Sequence, residues 1–313
     1  MRMKKQAFVT MITPFAADGS VDYDTIRKYV RFYSDNGLDG IFAVCQSSEI
    51  FYLSVEERVQ INCLVYETVK EIEAETGKRL TVVSSGHVAD DPDEQAAELN
   101  AVAQSGTDAL ILITNCLAKA DESDDVWIEN AKRLIEKLPP DLPLGLYECP
   151  YPYKRLVSEK TLRWAAGTGR FRYMKDTCCD ASLIAERVKW IAGSGLSLLN
   201  ANCQTLLETL KSGADGYCGI MANYHPKLYA CLCHEYENEP QKAELLQSVI
   251  GTFGFTEIGL PYPLTAKYHM SLEGIPTLDT ARSRPGERLT EYAKDCVAQM
   301  QKATKEMEKA LGL

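Results

Sequence analysis

A lysine closes the apolar run of residues 171–177 (Phe-Arg-Tyr-Met-Lys-Asp-Thr), where a strand buried on both faces calls for hydrophobic side chains. Burial disfavours the charged form of a lysine, and a neutral primary amine attacks carbonyl carbon to give a Schiff base. Lys175 is therefore the leading candidate nucleophile. Tyr147 closes the preceding apolar run, in Leu-Tyr-Glu-Cys-Pro over residues 146–150. A phenol there supplies the proton shuttle that carbinolamine dehydration requires. A third run ends in Cys-Gln-Ser-Ser-Glu, residues 45–49, whose small side chains let backbone N–H groups face an anion while two hydroxyls add donors. A 2-keto acid matches this set, with its ketone for the amine and its carboxylate for the loop. Each feature also has a plainer role: Lys175 pairing with Asp176 or a rim carboxylate, Tyr147 as packing, and residues 45–49 as an ordinary polar loop.

The elements that must position these groups recur along the chain. Short apolar runs fall at residues 7–15, 40–46, 80–85, 109–114, 144–149, 171–177, 196–200 and 216–220, separated by amphipathic stretches such as 24–36 and 55–75. Ser54-x-x-Glu57 reads as a capping box, which makes Ser54 a helix start rather than a catalytic serine. Asn36-Gly37, Ser105-Gly106 and Ser212-Gly213 each precede an Asp and then a strand, a helix stop followed by a strand start. Eight such alternations predict an α/β fold, a (β/α)8 TIM barrel, over residues 1–238. A doubly wound open sheet is the alternative, but the turn after the first run, Thr13-Pro14-Phe15, is not glycine-rich. Residues 239–313 read as helices only, broken at 281–285 and ending in a long helix over 287–309. With no Pro-, Gly- or Ser-rich linker before them, they form a C-terminal helical annex packed on the barrel as one structural unit.

Barrel active sites lie at the C-terminal ends of the strands. That places Thr13, Gln46 to Glu49, Ser85 to His87, Asn115, Tyr147, Lys175, Asn202 and Cys218 at the mouth. Of these, Gln46, Ser48, Thr13 and Cys218 are the candidate substrate-binding residues beside Lys175 and Tyr147. His87 reads as a solvated loop residue, with a rim acid or base as the alternative. Cys45, Cys116, Cys149, Cys178, Cys203 and Cys218 also fall near strand ends, and those that face the cavity make the second-substrate pocket less polar.

The bulk properties exclude other classes. Of 313 residues, 25% are charged and the formal net charge is −10 without a basic stripe, so nucleic acid and anionic membrane are poor partners. No run approaches the roughly 18 apolar residues that span a bilayer. Residues 1–10 lack an apolar signal segment, which predicts a cytoplasmic protein. The 11 cysteines include no C-x-x-C pair and read as reduced thiols. Cys178–Cys179, and Cys231 and Cys233 with His234, lack the convergent spacing of a metal site, so no metal is expected.

Taken in order, several motifs resemble the dihydrodipicolinate synthase / N-acetylneuraminate lyase family over nearly the whole chain. They are T-P-F…D-G-S-V-D at 13–22, N-G-L-D-G at 36–40, and the run 49–58 ending L-S-V-E-E-R. Tyr147-x-x-Pro150, Lys175-Asp176, Gly213-Ala214-Asp215-Gly216, Ala222-Asn223 and Pro261-x-Pro263 with Lys267 continue them. The resemblance implies a class I aldolase or hydro-lyase. Lys175 would condense with pyruvate or a related 2-keto acid and an aldehyde would be the second substrate. Tyr147 and Ser47 would serve the proton relay, and the amides of Ser47 and Ser48 would hold the carboxylate. It implies no metal, no organic cofactor, and a homotetramer built as a dimer of dimers.

The departures concern the second substrate. Where the family usually reads G-T-T-G-E, this chain has Cys45-Gln46-Ser47-Ser48-Glu49, so Gln46 replaces the first relay threonine. Asn115-Cys116-Leu117 stands where true dihydrodipicolinate synthases carry paired tyrosines, and Pro152 where they carry the substrate-carboxylate arginine, leaving Lys154 or Arg155 as substitutes. Ala201-Asn202-Cys203 replaces the glycine-aspartate element of the sugar-acid lyases. These changes point away from lysine biosynthesis and from sialic acid. Dihydrodipicolinate synthase with a rebuilt relay, and a barrel that binds a keto acid without turnover, remain the alternatives.

Overall fold

The computed structural model describes residues 4–313. Among them, eight parallel strands close into a barrel in chain order: β1 (Gln6–Thr10), β2 (Gly40–Phe42), β3 (Thr81–Ser84), β4 (Ala109–Ile113), β5 (Leu144–Tyr147), β6 (Phe171–Asp176), β7 (Ser197–Asn200) and β8 (Gly216–Gly219). The crossovers are α1 (Tyr23–Asp35), α2 (Val55–Thr76), α3 (Pro92–Gln104), α4 (Asp124–Ile135), α5 (Glu159–Gly167), α6 (Ala181–Trp190) and α7 (Leu206–Lys211), and α8 (Pro226–Glu235) follows β8. The annex comprises α9 (Pro240–Gly259), α10 (Leu264–Leu272) and α11 (Glu291–Leu311). The last helix starts later than the sequence pattern suggests. Thr290 caps it by accepting the Ala293 amide at 3.1 Å, and residues 273–290 form a loop that returns to the barrel mouth.

The glycine–x–aspartate turns set strand register. Gly37, Gly106 and Gly213 adopt φ of 88°, 92° and 107°, which ends each helix. The aspartate two residues later then accepts an amide of the neighbouring strand. Asp39 takes Ala7 N at 2.8 Å, Asp108 takes Val82 N at 2.8 Å, and Asp215 takes Leu198 N at 2.9 Å. Three strand pairs are thus fixed by one local device. The Ser54–Glu57 capping box forms at the start of α2, with bonds of 3.2 and 3.0 Å.

Alternation along the strands builds the barrel interior in layers. In the lower layer, small residues make room for large ones: a Cβ on Gly40 would lie 2.4 Å from the Phe8 ring, and one on Gly145 would lie 2.4 Å from Ile111 Cδ1. Phe8 and Tyr173 fill that space, with ring centroids 6.0 Å apart. Two residues further along their strands, Gly40, Gly145 and Tyr173 give way to Phe42, Tyr147 and Lys175, which form the layer at the mouth. The intervening residues Leu146 and Met174 pack outward against the helices.

Buried polar residues complete the core. His87 is buried rather than solvated. Its Nδ1 meets Gln95 Oε1 at 3.1 Å and its Nε2 accepts the Ile113 amide at 2.7 Å, so the ring serves as a neutral staple between β3 and β4. Burial holds its pKa down to about 4, and does the same to His225 and His269, at about 3 and about 4, against an ordinary 6.5. Each ring binds its proton more weakly folded than unfolded, so protons are taken up on unfolding and stability falls as pH drops from about 6.5 toward 4. Urea unfolding at pH 7 and pH 5 should show a loss of about 2 kcal/mol per histidine. His87→Gln should remove one histidine's share of that slope. A stability unchanged between the two pH values would contradict this assignment.

Candidate active site

A cavity of about 920 Å³ opens over the C-terminal ends of the strands, and Lys175, Tyr147, Gln46 and Ser47 line it. Tyr147 and Lys175 are direct partners in the β5–β6 ladder. Because their strands alternate in phase, both side chains point into the barrel. The lysine amine lies 4.3 Å from the centroid of the Tyr147 ring and 5.9 Å from that of Phe42, and the residue is only 7% exposed. Phe42 meets Tyr147 edge-on at 5.5 Å, which fixes the phenol ring from the far side. Burial pushes the Tyr147 phenol well above its ordinary range, with neighbouring thiols acting in the same direction. The hydroxyl is thus a proton donor at neutral pH and does not rest as a phenolate.

The loop after β2 is a 3-10 turn, Gln46–Ser48, that opens at Cys45 and leaves through Glu49 in the left-handed region (φ 63°). Ser47 faces the cavity and donates to Thr10 Oγ1 at 3.1 Å. The Gln46 side-chain oxygen lies 3.5 Å from the Tyr147 hydroxyl and 3.3 Å from Cys149 Sγ. An amide oxygen accepts but does not pass a proton on, so Gln46 can orient the phenol only as an acceptor.

Thr13, Ser48 and Cys218 do not line the cavity. Ser48 Oγ is held by Met11 O at 2.9 Å and Ala43 O at 2.8 Å, its amide donates to Cys45 O at 3.1 Å, and Thr13 Oγ1 donates to Ser48 O at 2.8 Å. Both side chains shape the loop from below. Cys218 lies buried in the barrel interior, within electrostatic range of Lys175 and Cys45, where burial pushes its thiol up to about 12. Cys179 and Cys203 do reach the cavity wall. Among the described residues, no group of three or more His, Cys, Asp or Glu is arranged to hold a metal ion.

The two basic substitutes separate clearly. Arg155 turns away to Lys119 O, Glu122 O and Asp124 at 2.8–3.1 Å. Lys154 lines the cavity and donates to Thr177 O at 2.7 Å. Asn115 does not line the cavity: its side-chain amide donates to the carbonyls of Cys149, Tyr151 and Tyr153 and staples that loop.

The annex supplies part of the cavity wall, through Tyr262, Pro263, Arg284 and Glu287, which sequence reasoning did not place there. The signal was present in Pro261-x-Pro263 and Lys267. Lys267 is fully buried and donates to Glu49 Oε1 at 2.7 Å and Thr280 O at 2.6 Å, while Ser283 N donates to Glu49 Oε2 at 2.7 Å. Arg282 adds a bidentate pair with Glu57, both bonds at 2.7 Å. The loop before α11 is thereby tied to the loop that carries Gln46 and Ser47.

Fold and site together define a barrel enzyme with a lysine and a tyrosine paired at its mouth. The dihydrodipicolinate synthetase family model matches residues 3–304, and the chain belongs to that family, whose members are lyases of the class I aldolase type. The 4-hydroxy-tetrahydrodipicolinate synthase of Neisseria gonorrhoeae is 27% identical over 231 residues, 74% of this chain and 75% of that one. Among solved structures, dihydrodipicolinate synthase from Acinetobacter baumannii, complexed with pyruvate, is 22% identical with a TM-score of 0.83, covering 97% of this chain and 99% of that one. A structure described as the first monomeric dihydrodipicolinate synthase variant is 18% identical with a TM-score of 0.85, covering 98% of each chain. No helix among the described residues is long and apolar enough to cross a membrane.

The buried Lys267–Glu49 pair yields a direct test. Lys267→Met leaves a carboxylate buried without its partner and should cost about 3–5 kcal/mol. Lys267→Met combined with Glu49→Gln should recover part of that loss in the same thermal melts. A single variant as stable as the parent would contradict the tie between annex and loop.

Proposed function

We propose that this protein forms a Schiff base between Lys175 and pyruvate or a related 2-keto acid, and makes or breaks a carbon–carbon bond to an aldehyde at the adjacent carbon, or carries out the corresponding hydro-lyase reaction. One observation carries this reading: a buried lysine amine faces the cavity over the ring of the tyrosine that is its partner in strand register. The amine adds to the keto carbon, and the carbinolamine oxygen leaves as water with a proton from Tyr147. The iminium draws electrons from the neighbouring carbon, which gives up a proton to the Tyr147 phenolate left by that step and yields the enamine. The enamine carbon attacks the aldehyde, the new alkoxide takes a proton, and water releases the product from Lys175. Ser47 and the 3-10 turn hold the carboxylate, and Gln46 keeps the phenol aimed. Ser48, Thr13 and Cys218 contribute by shaping the turn and the interior beneath the amine.

A second reading, 4-hydroxy-tetrahydrodipicolinate synthase, is favoured by the names of the sequence relatives. Against it stand Pro152 and Asn115 at the positions that handle the second substrate in such enzymes. We take annex and barrel to act as one unit, since annex residues wall the same cavity, and propose a cytoplasmic homotetramer, as the family resemblance implies.

Incubation with pyruvate and borohydride, followed by peptide mass mapping, should place a reduced adduct on Lys175. No adduct with any of several 2-keto acids would favour a binding scaffold instead. Tyr147→Phe should trap at the same residue but more slowly, while turnover falls by about 10²–10⁴-fold. Product formed from pyruvate and aspartate semialdehyde at rates above those with other aldehydes would move the assignment to the synthase.

A further inference from the structure

Behind the amine and the phenol, on the helix side of the same two strands, lies a buried ionic triad. Glu148 follows Tyr147 and Asp176 follows Lys175, so alternation turns both carboxylates out of the barrel just where it turns the phenol and the amine in. Arg187 of α6 reaches both. Its Nη1 donates to Asp176 Oδ2, and its Nη2 donates to Glu148 Oε1 at 2.6 Å and to Val157 O at 2.7 Å. All three side chains are 0% exposed.

The carboxylates also grip the backbone. Glu148 Oε2 accepts the Thr177 amide at 2.9 Å and Oε1 accepts the Val157 amide at 2.7 Å, while Thr177 Oγ1 donates to Glu148 O at 2.7 Å. Asp176 Oδ1 accepts the Cys178 amide at 2.8 Å. The main-chain bond at this level, Glu148 N to Lys175 O, is long at 3.4 Å. As the ladder weakens at the rim, the side-chain network takes over the joining of β5 to β6.

Stability alone accounts poorly for this arrangement. Two carboxylates face one guanidinium, burial and Asp176 push the Glu148 carboxyl up against the opposing pull of Arg187, and Arg187 Nε has no partner among the described residues. Apolar side chains of similar volume often serve stability as well as such a buried network does. What they do not supply is directional bonding to two strand ends at once.

Building on the Schiff-base reading above, we infer that Arg187 is a positioning residue, which through Glu148 and Asp176 fixes the separation and aim of Tyr147 and Lys175. Reacting groups held within a few tenths of an ångström gain rates that a misplacement of about 1 Å forfeits by up to about 10²-fold. Arg187→Lys keeps the charge but cannot bond both carboxylates and Val157 O in the same fork. It should lower kcat and the rate of borohydride-trapped adduct formation by about 10–100-fold per folded molecule, with the pyruvate KM within about 3-fold of the parent, because the carboxylate loop is untouched.

Glu148→Gln supplies a second variant if Arg187→Lys does not fold, and should show the same split between kcat and KM. A folded variant with the parent's adduct rate and kcat would overturn the inference. So would losses that only track the unfolded fraction in circular dichroism and thermal melts. Failure of the parent itself to trap pyruvate would instead overturn the Schiff-base reading, so the two outcomes are separable.

Discussion

Tyr147 and Lys175 stand opposite each other across the β5–β6 ladder, and that register governs everything the cavity can do. A slip of one residue would exchange the faces, sending amine and phenol to the helices and bringing Glu148 and Asp176 into the barrel. The cavity would then present two carboxylates in place of an amine and a phenol. Several features defend the register. Gly145 lets Ile111 and Tyr173 fill the layer below, Phe42 packs edge-on against the phenol, and Arg187 holds the outward carboxylates from the helix side.

A second constraint joins distant parts of the chain at the mouth. The turn that carries Gln46 and Ser47 is held from below by Ser48 and Thr13 and from the side by the buried Lys267–Glu49 pair. The annex is therefore part of the cavity wall, and its loop contributes Arg284 and Glu287 at the rim. Of the departures from the family pattern, Gln46, Ala201, Asn202 and Cys203 line the same cavity. Asn115 instead staples residues 149–153, and of the adjacent pair Lys154 and Arg155 only Lys154 lines the cavity.

Much of this was legible in the sequence because it rests on local patterns. The barrel follows from eight repeats of strand and helix, and the glycine–x–aspartate turns announce the register bonds that Asp39, Asp108 and Asp215 make. Lys175 stood out because a lysine interrupts an apolar run, and Tyr147 because it ends the run before. Other residues were not legible because their roles depend on partners far along the chain. His87 looks like a loop residue until Gln95 and the Ile113 amide enclose it. Lys154 and Arg155 are adjacent in sequence and diverge only through what each meets, Thr177 O for one and Asp124 for the other. Arg187 is one arginine among many on amphipathic helices, and only the outward carboxylates at two strand ends reveal its partners.

The central claim is that the amine of Lys175 meets a keto acid inside the barrel with the phenol of Tyr147 at hand. A crystal structure of the protein after reaction with pyruvate tests it most directly. Continuous density from Lys175 Nζ to the keto carbon, with the Tyr147 hydroxyl within hydrogen-bond reach of that centre and the carboxylate on the 46–48 turn, is the predicted result. Pyruvate bound elsewhere, or a Lys175 side chain directed out among the helices, would contradict it.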